Sequence, residues 1–453
     1  MIKKLLVANR GEIAVRIIRA CKELDVETVA IYSEADKDAL HTRMADEAYC
    51  IGPAASKDSY LNFTNIMSIA KLTGVDAIHP GYGFLAENAD FAEICAECNV
   101  TFVGPSAEAI SKMGTKDVAR KTMKKAGVPI VPGSDGVVSG EEEAVRVAEE
   151  IGYPVIIKAT AGGGGKGIRV ARTEADLLKG MRVTQREAAT AFGNDGVYLE
   201  KFIEDFRHVE IQVLADGHGN TIHLGERDCS IQRRLQKLVE ESPSPALDAA
   251  KRKEMGEAGV KAAEAVDYTG AGTIEFIYDH NNGDFYFMEM NTRIQVEHPV
   301  TEWVTGIDLV KEQILIGSGE RLRYRQEDIT YEGWAIECRI NAENPDKNFM
   351  PSPGTLEMYL PPGGFGVRVD SAAYPGYRIP PFYDSMIAKV ITYGNTREEA
   401  IARMKRALDE FVVEGVDTTI PFHIRLLNHE KFVGGDFNTK FLEEYPLTAN
   451  ERR

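Results

Sequence analysis

Residues 273–298 read TIEFIYDHNNGDFYFMEMNTRIQVEH, and through the second half their polar residues fall at every second position. Glu289, Asn291, Arg293, Gln295 and Glu297 alternate with Met290, Thr292, Ile294 and Val296. An extended chain sends alternate side chains to opposite faces, so a strand here sets two carboxylates, two amides and a guanidinium against a mostly apolar row. At about 3.3 Å per residue the polar row spans roughly 26 Å, room for a metal and an anionic substrate at different points. Upstream, Asn282-Gly283 marks a tight turn between two runs of strand character, which brings Glu275 across from Glu289. With the amide oxygen of Asn291 on the same face, the hairpin carries hard oxygen donors of the kind that hold Mg²⁺ or Mn²⁺ jointly with nucleotide phosphates. A half-buried strand with a solvated polar face shows the same alternation, so the rest of the chain has to decide.

Residues 2 to 110 alternate apolar β-type runs with helical periodicity: KKLLVA, GEIAVRIIRACKEL, VETVAIYS, VDAIHP, ADFAEICAEC and VTFVG. That is the pattern of a parallel sheet with crossover helices, an α/β arrangement. The first turn, ANRGEIAVR, lacks GxGxxG, so Gly11 serves a tight turn and a dinucleotide site is unsupported. The loop HPGYGFLAEN places Tyr82 at the carboxyl end of a strand, where open sheets carry their ligands. SKMGTKDVARKTMKKAG reads as a single lysine-rich helix, and residues 127 to 205 as a small α+β insertion with the character of a lid.

Inside that insertion, TAGGGGKGIRV lies between two strand signals. The consecutive glycines Gly162 to Gly165 let backbone approach a ligand and offer amides as an anion nest, with Lys166 adding charge. It is no Walker A sequence, because Lys166 is followed by Gly167 and a strand. Lys158, at the end of the apolar strand VIIKAT, calls for an anionic partner. RHVEIQVLAD and NTIHLGERDCS read as a hairpin about DGHG. SIQRRLQK gathers Gln232, Arg233, Arg234 and Lys237 into either a solvated helix start or the anion-binding side of a cleft. Beyond residue 330, WAIECRINAE, TLEMYL, GVRVD, MIAKVITYG and the helix TREEAIARMKRALDEF read as a separate α+β domain. On its first strand Ala335, Glu337, Arg339 and Asn341 alternate with Ile336, Cys338 and Ile340.

Composition narrows the function class. The chain has 453 residues, room for about three domains. With 53 Lys+Arg against 70 Asp+Glu its net charge is −17, which argues against broad binding to nucleic acid or an anionic membrane. No apolar run approaches a membrane span, and Asn9, Arg10 and Glu12 interrupt the start before a signal-peptide core forms. Six cysteines in so long a chain suggest no disulfide framework, so a cytoplasmic setting is expected. Cys95 and Cys98 form a CxxC without the second pair that zinc needs.

Glycine loop, buried lysine, paired carboxylates and basic cluster converge on ATP-dependent chemistry, and kinase HRD and DFG signatures are missing. The order of GGGGKG, ERDCSIQRR, TIEF and MEMNTRIQVEH, after LLVANRGEIAVRI and HPGYGFLAEN, strongly resembles the ATP-grasp superfamily and within it the biotin carboxylase family. The likeness covers nearly the whole chain. It implies a Rossmann-like parallel-sheet domain over residues 1–112, an ATP-grasp domain over 113–330 with a mobile lid at about 131–203, and a C-terminal α+β domain over 331–453.

The resemblance also implies roles. Residues matching Lys116 and Lys158 bind ATP phosphates, Gly163, Gly164, Gly165, Lys166 and Gly167 close over them, and Glu200, Lys201 and Ile203 meet the adenine. His208 and Gln232 lie near the ribose, while Glu275, Glu289 and Asn291 match the ligands of Mg²⁺ or Mn²⁺, with two ions expected. Lys237, Arg293, Gln295 and Val296 match the bicarbonate pocket, and Glu297 the general base. Arg339 matches the residue that steadies the biotin enolate, with Tyr82 beside the ureido ring. Leu235 stands where the family often has a histidine that contacts the nucleotide.

The absence of an AMKM-like sequence leads to the expectation of biotin on a separate carrier protein, with carboxyltransferase subunits as partners and a homodimer as the usual assembly. The implied activity is the first half-reaction of a multi-subunit acetyl-CoA carboxylase. The alternatives are the matching subunit of a pyruvate or propionyl-CoA carboxylase, and a nucleotide-binding regulatory subunit without turnover. Mere ATP binding needs none of Glu297, Lys237 and Arg339.

Overall fold

The computed structural model describes residues 1–159, 168–192 and 196–448. Its contacts divide the chain into two compact units, one of Met1–Val128, Arg207–Ile277 and Glu289–Arg453, the other of Pro129–Phe206 and Tyr278–Met288. In the larger unit a five-stranded sheet runs in the order Glu47–Cys50, Glu27–Tyr32, Lys4–Val7, Ala77–His79, Thr101–Phe102. Every pairing in it is parallel. The unbroken apolar run of its first strand follows from burial on both faces. Leu5 and Val7 pack with Ile13, Ile17 and Ile314, whereas Leu6 packs with Val29, Ile66 and Phe91 in a second core. Each such side chain contributes about 1.5–3 kcal/mol. Gly11 opens the helix Gly11–Glu23 at φ +67°, a conformation that costs glycine nothing.

The lysine-rich stretch forms two helices, Ala107–Gly114 and Lys116–Lys125, rather than the single helix its composition suggests. Thr115 is extended, at φ −99° and ψ 105°, and serves as the end residue of both. A glycine followed by a β-branched residue is a weak point in a helix, and the chain breaks there. The break leaves Lys116 at the head of the second helix.

A second sheet has eight strands, in the order Asp284–Asn291, Gly270–Asp279, Arg207–Ala215, Thr221–Arg233, Gln236–Ser242, Trp334–Asn341, Met386–Gly394, Val367–Ser371. The five pairings from Arg207–Ala215 through to Val367–Ser371 are antiparallel. The strand Trp334–Asn341 joins directly to Gln236–Ser242, so the sheet runs without interruption past residue 330.

SIQRRLQK is neither a helix start nor a loop. It ends one strand and begins the next, with Arg234 and Leu235 at φ +49° and +66° as the two-residue turn. Arg, Leu, Gln and Lys are good helix formers, but pairing along both strands outweighs that preference. The hairpin sets Gln232 opposite Lys237.

The polar-alternating strand also departs from its sequence reading. It stops at Asn291, so Arg293, Gln295 and Glu297 of the alternating row lie beyond it, and Glu297 stands immediately before the helix His298–Thr305. Pro299 fixes the first turn of that helix. Arg293 ties the intervening bend to itself by donating to Asn291, Ile294 and Gln295.

In the smaller unit, Ile168–Ala171, Val155–Ala159 and Val197–Lys201 form an antiparallel sheet. The helices Glu141–Ile151 and Glu174–Phe192 belong to the same unit, and Val155, Ile157, Leu177, Met181, Val197 and Leu199 build its core. Among the described residues no helix is long and apolar enough to cross a membrane. Gly163, Gly164, Gly165, Lys166 and Gly167 lie outside the described residues.

Candidate active site

The antiparallel sheet of the larger unit buries charge on one of its faces. On Arg207–Ala215 the residues His208, Glu210 and Gln212 are all buried, at alternate positions of the strand. Arg227, fully buried, organises them: its Nε donates to Glu210 at 2.5 Å, Nη1 to Gln212 at 2.6 Å and Thr301 at 2.9 Å, and Nη2 to Thr273 at 3.0 Å. A guanidinium is always charged and presents a rigid fork of donors, so this arrangement holds the carboxylate of Glu210 in one orientation.

Lys237 sits at the centre. Its ammonium donates to Glu210 Oε2 at 2.6 Å, Glu275 Oε1 at 2.8 Å and Glu297 Oε1 at 2.7 Å. All three of its donors are thereby used. Arg339 takes the other side: its Nη2 donates to Glu297 Oε2 at 3.0 Å and its Nε to Glu240 at 2.6 Å. Glu297, with no exposed surface, is clamped through both oxygens between two cations.

The charge states follow from this geometry. Burial works against the charge on Glu297, but Lys237, Arg339 and Arg227 overcome it and hold its pKa well below the carboxylate range. Burial likewise opposes charge on Lys237, yet Glu210 and Glu297 push its pKa well above the usual value. Glu275 is depressed in the same way, with Lys237 and His208 outweighing burial. Glu240 behaves oppositely: burial and the neighbouring Glu297 charge raise its pKa to about 7 against the pull of Arg339.

Arg293 forms the next part of the wall. Its Nε donates to Glu87 at 2.8 Å, Nη1 to Gln295 at 2.9 Å and Nη2 to Asn291 Oδ1 at 3.0 Å. Gln295 and Asn291 in turn donate to Glu275 Oε1, at 3.2 and 3.0 Å. Lys237, Arg293, Gln295, Glu297 and Arg339 thus share one hydrogen-bonded network.

The residues expected to hold a metal divide. Partial desolvation and the Glu275 charge raise the pKa of Glu289, with Lys116 opposing, and two carboxylates in mutual repulsion suit a divalent cation. Asn291 turns its amide oxygen to Arg293 and its NH₂ to Glu275. Ligation by all three would need that amide reversed. His208 Nε2 lies 3.1 Å from Glu275 Oε2, and His208, Glu210 and Glu275 bring donor atoms close enough to share an ion.

The other expected residues stand as follows. Lys116 is exposed and Gln232 half-buried. Val296 gives its carbonyl to Lys389 at 2.8 Å, and the hydroxyl of Tyr82 donates to Glu12. In the smaller unit Lys158 pairs with Glu200, which supplies the anion its strand position called for. Lys201 donates its ammonium to the carbonyls of Gly152 and Tyr153, at 2.9 and 3.0 Å, and Ile203 is half-buried just beyond the strand. Sequence reasoning passed over Glu87, Glu210, Arg227, Glu240, Glu12 and Lys389. Glu210 had a signal, the alternation of His208, Glu210 and Gln212 in RHVEIQVLAD.

Family patterns match nearly the whole chain. Residues 1–110 match "Biotin carboxylase, N-terminal domain", 115–325 "Carbamoyl-phosphate synthase L chain, ATP binding domain", and 337–444 "Biotin carboxylase C-terminal domain". Biotin carboxylase 1 of Bacillus subtilis (strain 168) is 80% identical over 450 residues, covering 99% of this chain and 100% of that protein. The chain belongs to the biotin carboxylase family. Another relative, a pyruvate carboxylase subunit from Methanothermobacter thermautotrophicus, is 58% identical, over 98% of this chain and 90% of its own. Among solved biotin carboxylases, the domain dimer of Hydrogenobacter thermophilus 2-oxoglutarate carboxylase, in complex with MgADP, ADP and bicarbonate, superposes with a TM-score of 0.87. It is 56% identical, over 98% of each chain. The biotin carboxylase fold therefore accounts for the three sheets described above.

Proposed function

We propose that this chain uses ATP and bicarbonate to carboxylate biotin carried on a separate carrier protein, the first half-reaction of an acetyl-CoA carboxylase. The observation that carries the reading is the buried Glu297 clamped between Lys237 and Arg339. Nucleotide binding alone has no use for a carboxylate held in that way.

Bicarbonate is a weak nucleophile. Lys237 and Arg293 hold the anion, with Gln295 and the backbone at Val296 completing its pocket. Between Lys237 and Arg339, Glu297 is a poor base, because these cations depress its pKa. An anion bound at Lys237 competes for that ammonium, which raises the proton affinity of Glu297 toward the range a general base requires. Glu297 then takes the bicarbonate proton as a bicarbonate oxygen attacks the γ-phosphorus and ADP departs. The product, carboxyphosphate, breaks into CO₂ and phosphate. The departing phosphate takes the N1 proton of biotin, Arg339 stabilises the enolate oxygen with a charge that never titrates away, and N1 attacks CO₂. Tyr82 lies beside the ureido ring.

Lys116, His208 and Gln232 are assigned to the nucleotide, as are Lys158, Glu200, Lys201 and Ile203. Glu275 and Glu289, with Asn291 once its amide is reversed, would hold Mg²⁺ or Mn²⁺. Such a cation offsets phosphate charge during phosphoryl transfer. A homodimer is proposed on the domain dimer of the Hydrogenobacter relative, and carboxyltransferase partners because the carboxyl group on biotin needs an acceptor. The identity to a pyruvate carboxylase subunit favours a second reading, in which the carboxyl group goes on to a keto acid.

Phosphate release from ATP, measured with and without bicarbonate and free biotin, tests the reading. The rate is expected to rise with each addition. A rate indifferent to both would remove the assignment.

A further inference from the structure

One buried cation has no part in the reaction just described. Lys389 lies on the strand Met386–Gly394, opposite Arg339 on one side and Asp370 on the other. Its side chain has no exposed surface. A lysine so placed needs partners for its whole charge. Its Nζ donates to the carbonyl of Val296 at 2.8 Å, and lies 3.1 Å from Glu12 Oε1 and 3.9 Å from Asp370. Arg368 already grips Asp370 through Nε and Nη2, at 2.9 and 2.7 Å.

The other two contacts lead in different directions. Val296 stands between Gln295 and Glu297, so its carbonyl fixes the path of the segment that carries the anion pocket and the base. Glu12 Oε1, the same oxygen that faces Lys389, accepts the hydroxyl of Tyr82. One ammonium therefore holds, by a single atom, both the bicarbonate segment and the residue beside the biotin ring.

We propose that Lys389 is a positioning residue that keeps residues 295–297 and Tyr82 in one register, so that CO₂ is released where the biotin nitrogen waits. The inference rests on the roles assigned above to Val296 and Tyr82. Its consequence is coupling. When the two segments drift, bicarbonate-dependent cleavage of ATP continues, and CO₂ escapes before N1 captures it.

Lys389→Met alone leaves the buried Glu12 carboxylate without its cation, so the measurement uses Lys389→Met with Glu12→Gln, which removes one charge of each sign. Asp370 keeps Arg368. Phosphate and carboxybiotin are counted in the same reaction. The double variant is expected to yield roughly fivefold less carboxybiotin per phosphate than the unaltered protein. KM for bicarbonate and for biotin should both rise, and KM for ATP should stay within about twofold. A purely structural role would lower kcat with the folded fraction and leave the ratio and all three KM values alone, and that outcome would overturn the inference. If the unaltered protein itself shows no bicarbonate- and biotin-dependent turnover, the assigned function falls and the inference falls with it.

Discussion

At the residue scale, Glu297 faces a conflict between the charge state its cations impose and the demands of catalysis. Lys237 and Arg339 make it a stronger acid than an ordinary carboxyl, and so a weaker base. Substrate binding resolves the conflict by occupying one of its cations. Glu297→Gln keeps the shape and loses the base, so bicarbonate-dependent phosphate release should fall by about 10²–10⁴-fold. Nucleotide binding, followed by fluorescence or calorimetry, should stay within a few-fold of the unaltered protein. An active variant would remove Glu297 from its role. The sequence made Glu297, Arg293 and Glu289 legible because they share one alternating row. It hid Glu240, which stands next to Glu241 in QKLVEES, and although Lys389 in MIAKVITYG carries the same mark as Lys158 in VIIKAT, nothing local names its distant partners.

At the element scale, local propensity failed where long-range pairing decided. SIQRRLQK has helix-forming residues, yet neighbouring strands draw it into a hairpin whose turn forces Arg234 and Leu235 into left-handed backbone. That geometry costs L-residues about 1–2 kcal/mol each, and Leu235 is 91% exposed, so little packing repays it. Arg234→Asn with Leu235→Gly supplies the residues that such a turn prefers. The pair should stabilise the protein by roughly 1 kcal/mol, read as a higher urea or thermal midpoint, after allowing for the added freedom of the unfolded chain. A lower midpoint would show that the turn is held by side-chain contacts instead. The strand at Asn291 teaches a similar lesson. Alternation foretold which residues cluster, but the bend at residues 292–297 depends on the side-chain bonds of Arg293, and periodicity carries no trace of them.

At the scale of the whole molecule, the parallel sheet was readable because apolar runs and helical periods alternate through residues 2 to 110. The eight-stranded sheet was not. It is assembled from strands on both sides of residue 330, and no local pattern records that Gln236–Ser242 lies against Trp334–Asn341. That junction builds the site, since it brings Glu240 and Arg339 together beneath Glu297. The central claim, that this assembly activates bicarbonate for attack on ATP, predicts the fate of one atom. Bicarbonate labelled with ¹⁸O in unlabelled water should pass one of its oxygens into the phosphate released, detected by mass spectrometry before the label exchanges. Phosphate that carries oxygen only from water would contradict it.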